Sequence, residues 1–373
     1  MSERLTRFFG TRGAIVLIGA VIGVLGALLE KMGNPPNMGV CVACFERDIA
    51  GALGLHRAAS VQYIRSEIVA FVLGSMLAAV LFREFRPRSG SAPLVRFTLG
   101  VFAMIGALVF MGCPWRALFR LAGGDMTALG GLAGMAAGVG AGVWFLKRGF
   151  DLGRAGPASL ATACAMPIAM GGLFLLLILR PQFAQGGPIF FSSAGPGSMH
   201  APIIVSTSIG LVIGFLAQRT RFCTMGSFRD LFLMGNTVLA GGVVALVCGA
   251  FLANIALGQF HPGIEAQPAA HSGHLWNFLG MGLAGLAFAL GGGCPGRQLF
   301  LSGEGDEGAG IFVLGMFAGA AISHNLDFAA IPDKVAEGVT AVGGPSTAGK
   351  FAVILGLAVC AAIGALLREN PAQ

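Results

Sequence analysis

Long apolar stretches alternate with short polar ones along almost the whole chain. Ten of these stretches are close to the length, roughly 17–25 residues, that an α-helix needs to cross a bilayer. The pattern therefore predicts an all-α polytopic membrane protein with about ten transmembrane helices. The predicted spans are 14–30, 66–83, 97–112, 127–147, 158–180, 203–218, 237–257, 276–292, 308–324 and 350–368.

Arginine and lysine are distributed unevenly between the loops that join these spans. Four arginines lie in the loop between positions 83 and 96, whereas segments 181–202 and 258–275 contain no Lys or Arg. Positively charged loops favour the cytoplasmic side, so both termini are predicted to be cytoplasmic. The net charge of +7 is explained by these loops and does not indicate a nucleic-acid partner.

The chain contains an internal duplication. "GCPWRALF" at 112–119 matches "GCPGRQLF" at 293–300 at an offset of 181, and "CVACFERD" from Cys41 matches "CTMGSFRD" from Cys223 at an offset of 182. We therefore expect a single membrane transporter domain, 1–373, composed of two repeats with a connecting span and a final span. The predicted boundaries are 14–150 for repeat 1, 158–180 for the connecting span, 200–325 for repeat 2 and 350–368 for the final span.

Five predicted spans separate the starts of the two repeats. An odd number places the second repeat upside down relative to the first, which is the inverted-repeat plan of many transporters. The four cysteine motifs are about ten residues long, too short to span a membrane, and we predict that they form re-entrant half-helices.

The repeated Gly-Cys-Pro-x-Arg motif predicts a cysteine at the start of a short helix. Proline is favoured in the first helical turn, and a helix start presents free N–H groups and a positive dipole end that attract anions. The predicted substrate path is lined by Cys41, Cys44, Cys113, Cys223 and Cys294. The predicted supporting charges are Arg47, Arg116, Arg229, Arg297, Asp48, Asp125, Asp230 and Asp306.

Two interpretations of these charges stay open at this point. The arginines either contact an anion directly or hold the re-entrant segments by salt bridges. The candidate partners for the salt bridges are Asp125 for Arg116, Asp306 for Arg297, and the adjacent aspartate for each of the other two arginines.

The remaining cysteines and histidines have simpler interpretations. Cys164, Cys248 and Cys360 lie within spans without a repeat partner and are expected only to pack. Cys41-x-x-Cys44 is compatible with a redox pair or half a metal site, but neither a second C-x-x-C nor a nearby histidine completes a zinc set. No metal, cofactor or catalytic residue is therefore predicted, and the histidines of segment 258–275 are expected to be solvated.

At its motifs the sequence resembles the YeeE/YedE family of membrane proteins, and most closely its YedE branch. The similarity is carried by "GNPPNMGVCVACFERDIAGALGLHRAASVQYIRSE" (33–67), "GCPWRALFRLAGGD", "RTRFCTMGSFRDL" (219–231) and "GGCPGRQLFLSGEGD". The resemblance implies a bacterial inner-membrane importer of small sulfur-containing anions such as thiosulfate. For the YedE branch it implies a selenium species instead.

The resemblance also implies that cysteines facing a narrow path pass the ion along, and that a small cytoplasmic sulfur-carrier protein is a partner. Two other functions are compatible with the residues. One is a membrane thiol oxidoreductase or sulfurtransferase that uses Cys41 and Cys44. The other is an assembly protein of a larger membrane complex, which the repeated cysteines disfavour.

Overall fold

The computed structural model describes residues 3–181, 189–336 and 339–368. Within these ranges nine helical segments are long and apolar enough to cross a membrane, and one shorter apolar helix, Ser66–Leu81, adds a tenth crossing candidate. The prediction of an all-α polytopic membrane protein is confirmed.

The long helices coincide with the ten predicted spans to within a few residues. After a short helix α1 (Glu3–Phe9), they are α2 (Arg12–Lys31), α4 (Ser66–Leu81), α5 (Pro93–Phe110), α7 (Ala128–Lys147), α8 (Leu160–Leu179), α9 (Ile203–Thr220), α11 (Val238–Leu257), α12 (His274–Gly291), α14 (Glu307–Asn325) and α15 (Thr347–Leu366).

Four short helices begin at the repeated cysteine motifs. They are α3 (Val42–Ala52), α6 (Pro114–Gly123), α10 (Thr224–Met234) and α13 (Pro295–Gly303). Every residue of α3 is buried, and α6 is almost as fully enclosed. Such burial inside the protein is what a helix that ends within a membrane requires, because its free backbone groups cannot face lipid.

Two small antiparallel pairings lie in the loops and were not predicted from the sequence. β1 (Arg88–Ser89) pairs with β2 (Gly156–Pro157), and β3 (Lys334–Ala336) pairs with β4 (Val339–Ala341). A single 3₁₀ turn, Pro196–Ser198, lies in the loop before α9. These segments are too short for an alternating apolar pattern to reveal them.

The two halves of the chain exchange their packing partners. α2 packs against α11 and α4 against α9, while α7 packs against α12 and α5 against α14. In the repeat alignment α2–α7 correspond to α9–α14. The contact of α2 with α11 therefore corresponds to that of α9 with α4, and the contact of α7 with α12 corresponds to that of α14 with α5. The exchange supports the duplication, while the predicted inversion across the membrane and the predicted domain boundaries stay predictions.

Glycines allow the counterpart helices to approach closely. A Cβ atom at Gly138 of α7 would lie 2.0 Å from the carbonyl oxygen of Gly282 on α12. A Cβ atom at Gly315 of α14 would lie 2.2 Å from the carbonyl oxygen of Phe97 on α5. Even alanine is too large at these positions, so backbone contact between helices accounts for part of the high glycine content.

The expectation that the histidines of segment 258–275 are solvated is wrong for one of them. His261 and His274 are exposed, whereas His271 is buried. Its Nε2 lies 2.8 Å from the carbonyl oxygen of Val109, near the end of α5. This long-range contact folds the loop back onto the helices, which no local sequence pattern reveals.

Candidate functional site

Each of the four repeated cysteines follows a tight reversal of the chain. The residue two positions before each cysteine adopts a left-handed backbone conformation. These residues are Gly39 (φ +48°), Met111 (φ +64°), Arg221 (φ +53°) and Gly292 (φ +83°). Glycine adopts this conformation without steric cost, whereas Met111 and Arg221 adopt it despite the steric cost of a Cβ atom. The reversal allows a new helix to begin inside the protein.

The cysteines are the N-cap residues of the short helices. Cys41, Cys113, Cys223 and Cys294 precede α3, α6, α10 and α13 in that order. Proline occupies the first turn of α6 and α13, as the Gly-Cys-Pro motif predicts. The sequence therefore predicted the local position of all four thiols correctly.

The structure brings these thiols together in two pairs. The Sγ atoms of Cys41 and Cys113, the first thiol pair, are 3.9 Å apart. Those of Cys223 and Cys294, the second thiol pair, are 3.6 Å apart. All four are free thiols, and their residues are at most 5% exposed. Two helix N-termini meet at each pair, which makes both positions favourable for an anion.

Within each pair one sulfur caps its own helix and the other does not. The backbone N–H of Cys44 donates to Cys41 Sγ over 3.3 Å, and that of Gly226 donates to Cys223 Sγ over 3.2 Å. No side-chain capping bond is made by Cys113 or Cys294. The sulfurs of the Gly-Cys-Pro motifs instead contact the other thiol of their pair, Cys113 with Cys41 and Cys294 with Cys223.

Cys44 adds a third sulfur beside the first thiol pair. Its Sγ accepts a hydrogen bond from Arg116 Nη1 over 3.5 Å and lies 3.7 Å from the carbonyl oxygen of Met111. In the second half Gly226 stands at this position, so the two thiol pairs have different surroundings.

Arg116 is held by backbone carbonyl oxygens and not by the predicted aspartate. Its guanidinium donates to the carbonyl of Asn37 over 3.3 Å, to that of Ala269 over 2.8 Å, and to that of Met111. Its predicted salt bridge with Asp125 is wrong. Among the described residues no carboxylate lies within ion-pair distance of Arg116, and its direct partners are backbone carbonyl oxygens and the Cys44 sulfur beside the first thiol pair.

Asp125 pairs instead with Arg120, at 2.7 Å between Nε and Oδ2. Both side chains are fully buried, and Thr127 completes the cluster through its hydroxyl, 2.6 Å from Arg120 Nη2. Arg116 lies in the first turn of α6, whereas Asp125 lies beyond its C-terminal end. Asp125 is therefore within reach of Arg120, in the last turn of α6, and out of reach of Arg116.

The predicted bridge between Arg297 and Asp306 is also wrong. Arg297 Nη1 contacts Glu304 Oε1 at 3.1 Å, and Asp306 Oδ2 contacts Arg88 Nε at 2.7 Å. Asp306 is the N-cap of α14 and accepts from the backbone N–H of Ala309 over 3.0 Å. That capping role orients its carboxylate away from Arg297.

The remaining two arginines contact the adjacent aspartate, as their sequence positions suggested. Arg47 Nη2 lies 2.7 Å from Asp48 Oδ1, and Arg229 Nη2 lies 2.8 Å from Asp230 Oδ1. Asp48 also accepts from the fully buried Arg65 over 2.8 Å. Sequence reasoning missed Arg65, because it lies 17 positions further along the chain.

Two cavities, formed by different sets of loops, are lined by residues that flank the cysteine motifs in the sequence, although no cysteine is among the described residues that line them. The first vestibule, about 280 Å³, is lined by residues that include Arg47, Met111, Ala269, His324 and Asp327. The second vestibule, about 350 Å³, is lined by Glu84, Arg86, Arg88, Arg221, Arg297, Leu301 and Glu304. Four arginines and two glutamates make the second vestibule strongly polar and net positive.

The loop that carries Ala269 is fixed from both sides. Arg116 binds it from within the protein, and the Asp333 carboxylate accepts from the backbone N–H of Ser272 over 3.1 Å and of Gly343 over 2.7 Å. Burial raises the pKa of Asp333, but these amide hydrogen bonds outweigh it and hold the pKa below its ordinary value. The loop therefore forms an ordered wall of the first vestibule.

In the part of the chain that the structure describes, no three His, Cys, Asp or Glu side chains are placed to hold a metal ion. The site is instead a set of free thiols, helix N-termini and guanidinium groups enclosed by ten apolar helices. This combination defines a multi-pass membrane protein with a buried, anion-compatible centre.

Comparison with known proteins places the chain more narrowly. Residues 219–372 match a family model described as Sulphur transport. The chain is also 29% identical over 113 residues to the thiosulfate transporter TsuA of Escherichia coli (strain K12). That alignment covers 30% of this chain and 32% of the relative, so it spans about a third of the relative's length. These matches confirm the predicted resemblance to the YeeE/YedE family. Its assignment to the YedE branch stays a prediction.

Proposed function

We propose that this protein is an importer of a small sulfur-containing anion, with thiosulfate as the leading candidate substrate. It acts in the bacterial inner membrane with both termini in the cytoplasm. The observation that carries the proposal is the presence of two buried pairs of free thiols, each at the meeting point of two helix N-termini. The family match and the similarity to a thiosulfate transporter support the same substrate class.

Thiols suit the transport of such an ion for a physical reason. An S–H group is a weak hydrogen-bond donor, and a large, soft, poorly hydrated anion requires only weak donors to replace its water. Conduction requires sites that bind the ion and release it again. Two thiol pairs in succession provide this, while the helix N-termini and the Arg116 guanidinium supply positive potential.

The predicted topology sets which vestibule faces each side of the membrane. The first vestibule is formed by loops predicted to be outside, and the second by the arginine-rich loops predicted to be cytoplasmic. The ion enters beside Arg47, passes Cys41, Cys44 and Cys113, reaches Cys223 and Cys294, and leaves past Arg297. A small cytoplasmic sulfur-carrier protein then receives the intact anion at the second vestibule.

A selenium species is the alternative substrate, because the motifs resemble the YedE branch. Uptake of labelled thiosulfate and labelled selenite by intact cells tests both. Cells producing the wild-type protein are compared with empty-vector cells and with cells producing Cys113→Ala or Cys294→Ala. Cys248→Ala is the matched control, since Cys248 lies on the exposed surface of α11.

We expect uptake of one ion to exceed the empty-vector level for the wild type and the control variant, and to fall towards that level for the two path variants. Uptake equal to the empty-vector level for both ions contradicts the importer. An oxidoreductase or sulfurtransferase would instead form product in detergent solution, where no gradient exists. Product formation that depends on Cys41 and Cys44 would favour the enzyme.

A further inference from the structure

Trp115 and Gly296 occupy equivalent positions in the two copies of the Gly-Cys-Pro motif. Each lies two residues after its cysteine, in the first turn of α6 or α13. They also face each other, because a Cβ atom at Gly296 would lie 3.6 Å from Cε2 of Trp115. Equivalent positions of two repeats can touch only where the repeats meet, so this contact marks the junction of the halves.

The two equivalent positions at that junction hold one large side chain and one glycine. The first half supplies an indole, and the second half supplies a glycine that leaves space for it. The Trp115 ring also packs edge-on against Phe222, with centroids 5.8 Å apart, and in a tilted arrangement against Phe300, with centroids 6.2 Å apart. Since Phe222 directly precedes Cys223, the indole extends from the first thiol pair to the neighbourhood of the second.

The indole N–H has no hydrogen-bond partner among the described residues. Trp115 is 1% exposed, and its Nε1 atom is buried. Buried tryptophans usually satisfy this donor, because leaving it unpaired costs free energy. This unpaired donor belongs to the residue two positions after Cys113, and its ring packs against Gly296, two positions after Cys294, so it is placed to serve a ligand that visits the site.

We propose that Trp115 is the constriction between the first and second thiol pairs, and that its indole N–H donates a hydrogen bond to the anion as it passes. This inference rests on the proposed function. The aromatic cluster around the ring excludes strongly hydrated ions, whereas an ion that accepts weak hydrogen bonds exchanges a thiol donor for the indole donor. The asymmetry of Trp115 and Gly296 places one such donor at the junction.

Tryptophan fluorescence tests the contact directly. The chain has three tryptophans, so a Trp144→Phe, Trp276→Phe double variant reports on Trp115 alone. Thiosulfate added to this purified protein should change its emission in a saturable way. Sulfate at the same ionic strength should not, which also controls for the effect of salt.

Uptake by a substituted protein tests the role of the N–H group. Trp115→Phe keeps an aromatic ring and removes the donor, and we expect its thiosulfate uptake at low concentration to fall about tenfold or more. Trp144→Phe is the matched control, because Trp144 is exposed on α7. Trp115→Ala opens the constriction and should admit sulfate, which the wild type excludes.

The outcomes separate this inference from the importer itself. If the wild type takes up no thiosulfate, the proposed function fails. If the wild type takes it up, but the Trp115 emission does not respond, the inference is overturned and the importer stands. The emission test uses a protein that retains Trp115, so it decides the matter even where the Phe or Ala variant fails to fold.

Discussion

Cys294 Sγ lies 3.6 Å from Cys223 Sγ, although the two residues are 71 positions apart in the sequence. The contact is repeated in the other half, where Cys41 and Cys113 are 72 positions apart and their sulfurs are 3.9 Å from each other. Both pairs arise in the same way, from a chain reversal followed by a short helix that begins at the cysteine. Two thiol pairs, each at the meeting point of two helix N-termini, are the basis of the proposed transport path.

Mild oxidation of the purified protein should link Cys223 to Cys294. A disulfide bond is about 2.0 Å long, so the sulfurs need to approach by less than 2 Å from their distance of 3.6 Å. Mass spectrometry of the digested protein identifies the linked peptide, and uptake should fall on oxidation and recover after reduction. A peptide that links either residue to the exposed Cys248 would contradict the pairing.

Replacing Arg116 should weaken anion binding through loss of charge. Arg116→Met removes the guanidinium beside the first thiol pair, and a lost charge-assisted interaction corresponds to about a tenfold or larger decrease in affinity. Arg116→Lys keeps the charge but cannot reproduce the several bonds to backbone carbonyls. Thiosulfate titrations of both variants therefore separate a role of the charge in anion binding from a role of the carbonyl contacts in holding the loops.

If the charge acts on the ion, Arg116→Lys binds thiosulfate more tightly than Arg116→Met. Equal losses in the two variants, together with equally lowered melting temperatures, would show that Arg116 only holds the loops around Asn37 and Ala269.

Arg120→Ala should destabilise the fold. It leaves the Asp125 carboxylate buried without its partner, which costs about 3–5 kcal/mol for a broken buried ion pair. Thermal unfolding in detergent measures the loss, with Arg154→Ala in an exposed loop as the control. A melting temperature equal to that of the control would contradict the buried pairing of Arg120 with Asp125.

Gly138→Ala should separate α7 from α12. The new Cβ atom would lie 2.0 Å from the Gly282 carbonyl oxygen, so the helices must move apart. Gly172→Ala on α8 is the matched control, because a Cβ atom there meets nothing within 4 Å. We expect a lower yield of monodisperse protein by size-exclusion chromatography for the first variant only. Similar elution profiles for both variants would contradict the close packing of α7 and α12.

Local sequence patterns predicted the helices and the N-cap cysteines because these features depend on residues near each other in the chain. Apolar length defined the spans, and Gly-Cys-Pro defined the helix starts at Cys113 and Cys294. Charged partners that are adjacent in the sequence, such as Arg47 and Asp48, could be predicted in this way, but more distant partners could not. Asp125 contacts Arg120 and Asp306 contacts Arg88 because of how helix ends and loops meet in three dimensions.

The contact of Trp115 with Gly296 could not be predicted from local sequence patterns either. The alignment of the repeats places the two residues at equivalent positions, but only packing of the two halves brings them face to face. One sequence signal could have indicated this contact. At one position of the otherwise similar Gly-Cys-Pro motifs, the first copy has tryptophan and the second has glycine.

Uptake of labelled thiosulfate by proteoliposomes is the sharpest test of a transport path through the thiol pairs, because no other transporter or enzyme is present. The wild type is compared with Cys113→Ala, Cys294→Ala and the exposed control Cys248→Ala, each reconstituted at equal density. The account predicts uptake by the wild type and by Cys248→Ala, and a loss of at least tenfold in each of the other two variants. Uptake at the wild-type rate by both Cys113→Ala and Cys294→Ala would contradict a path through the thiol pairs.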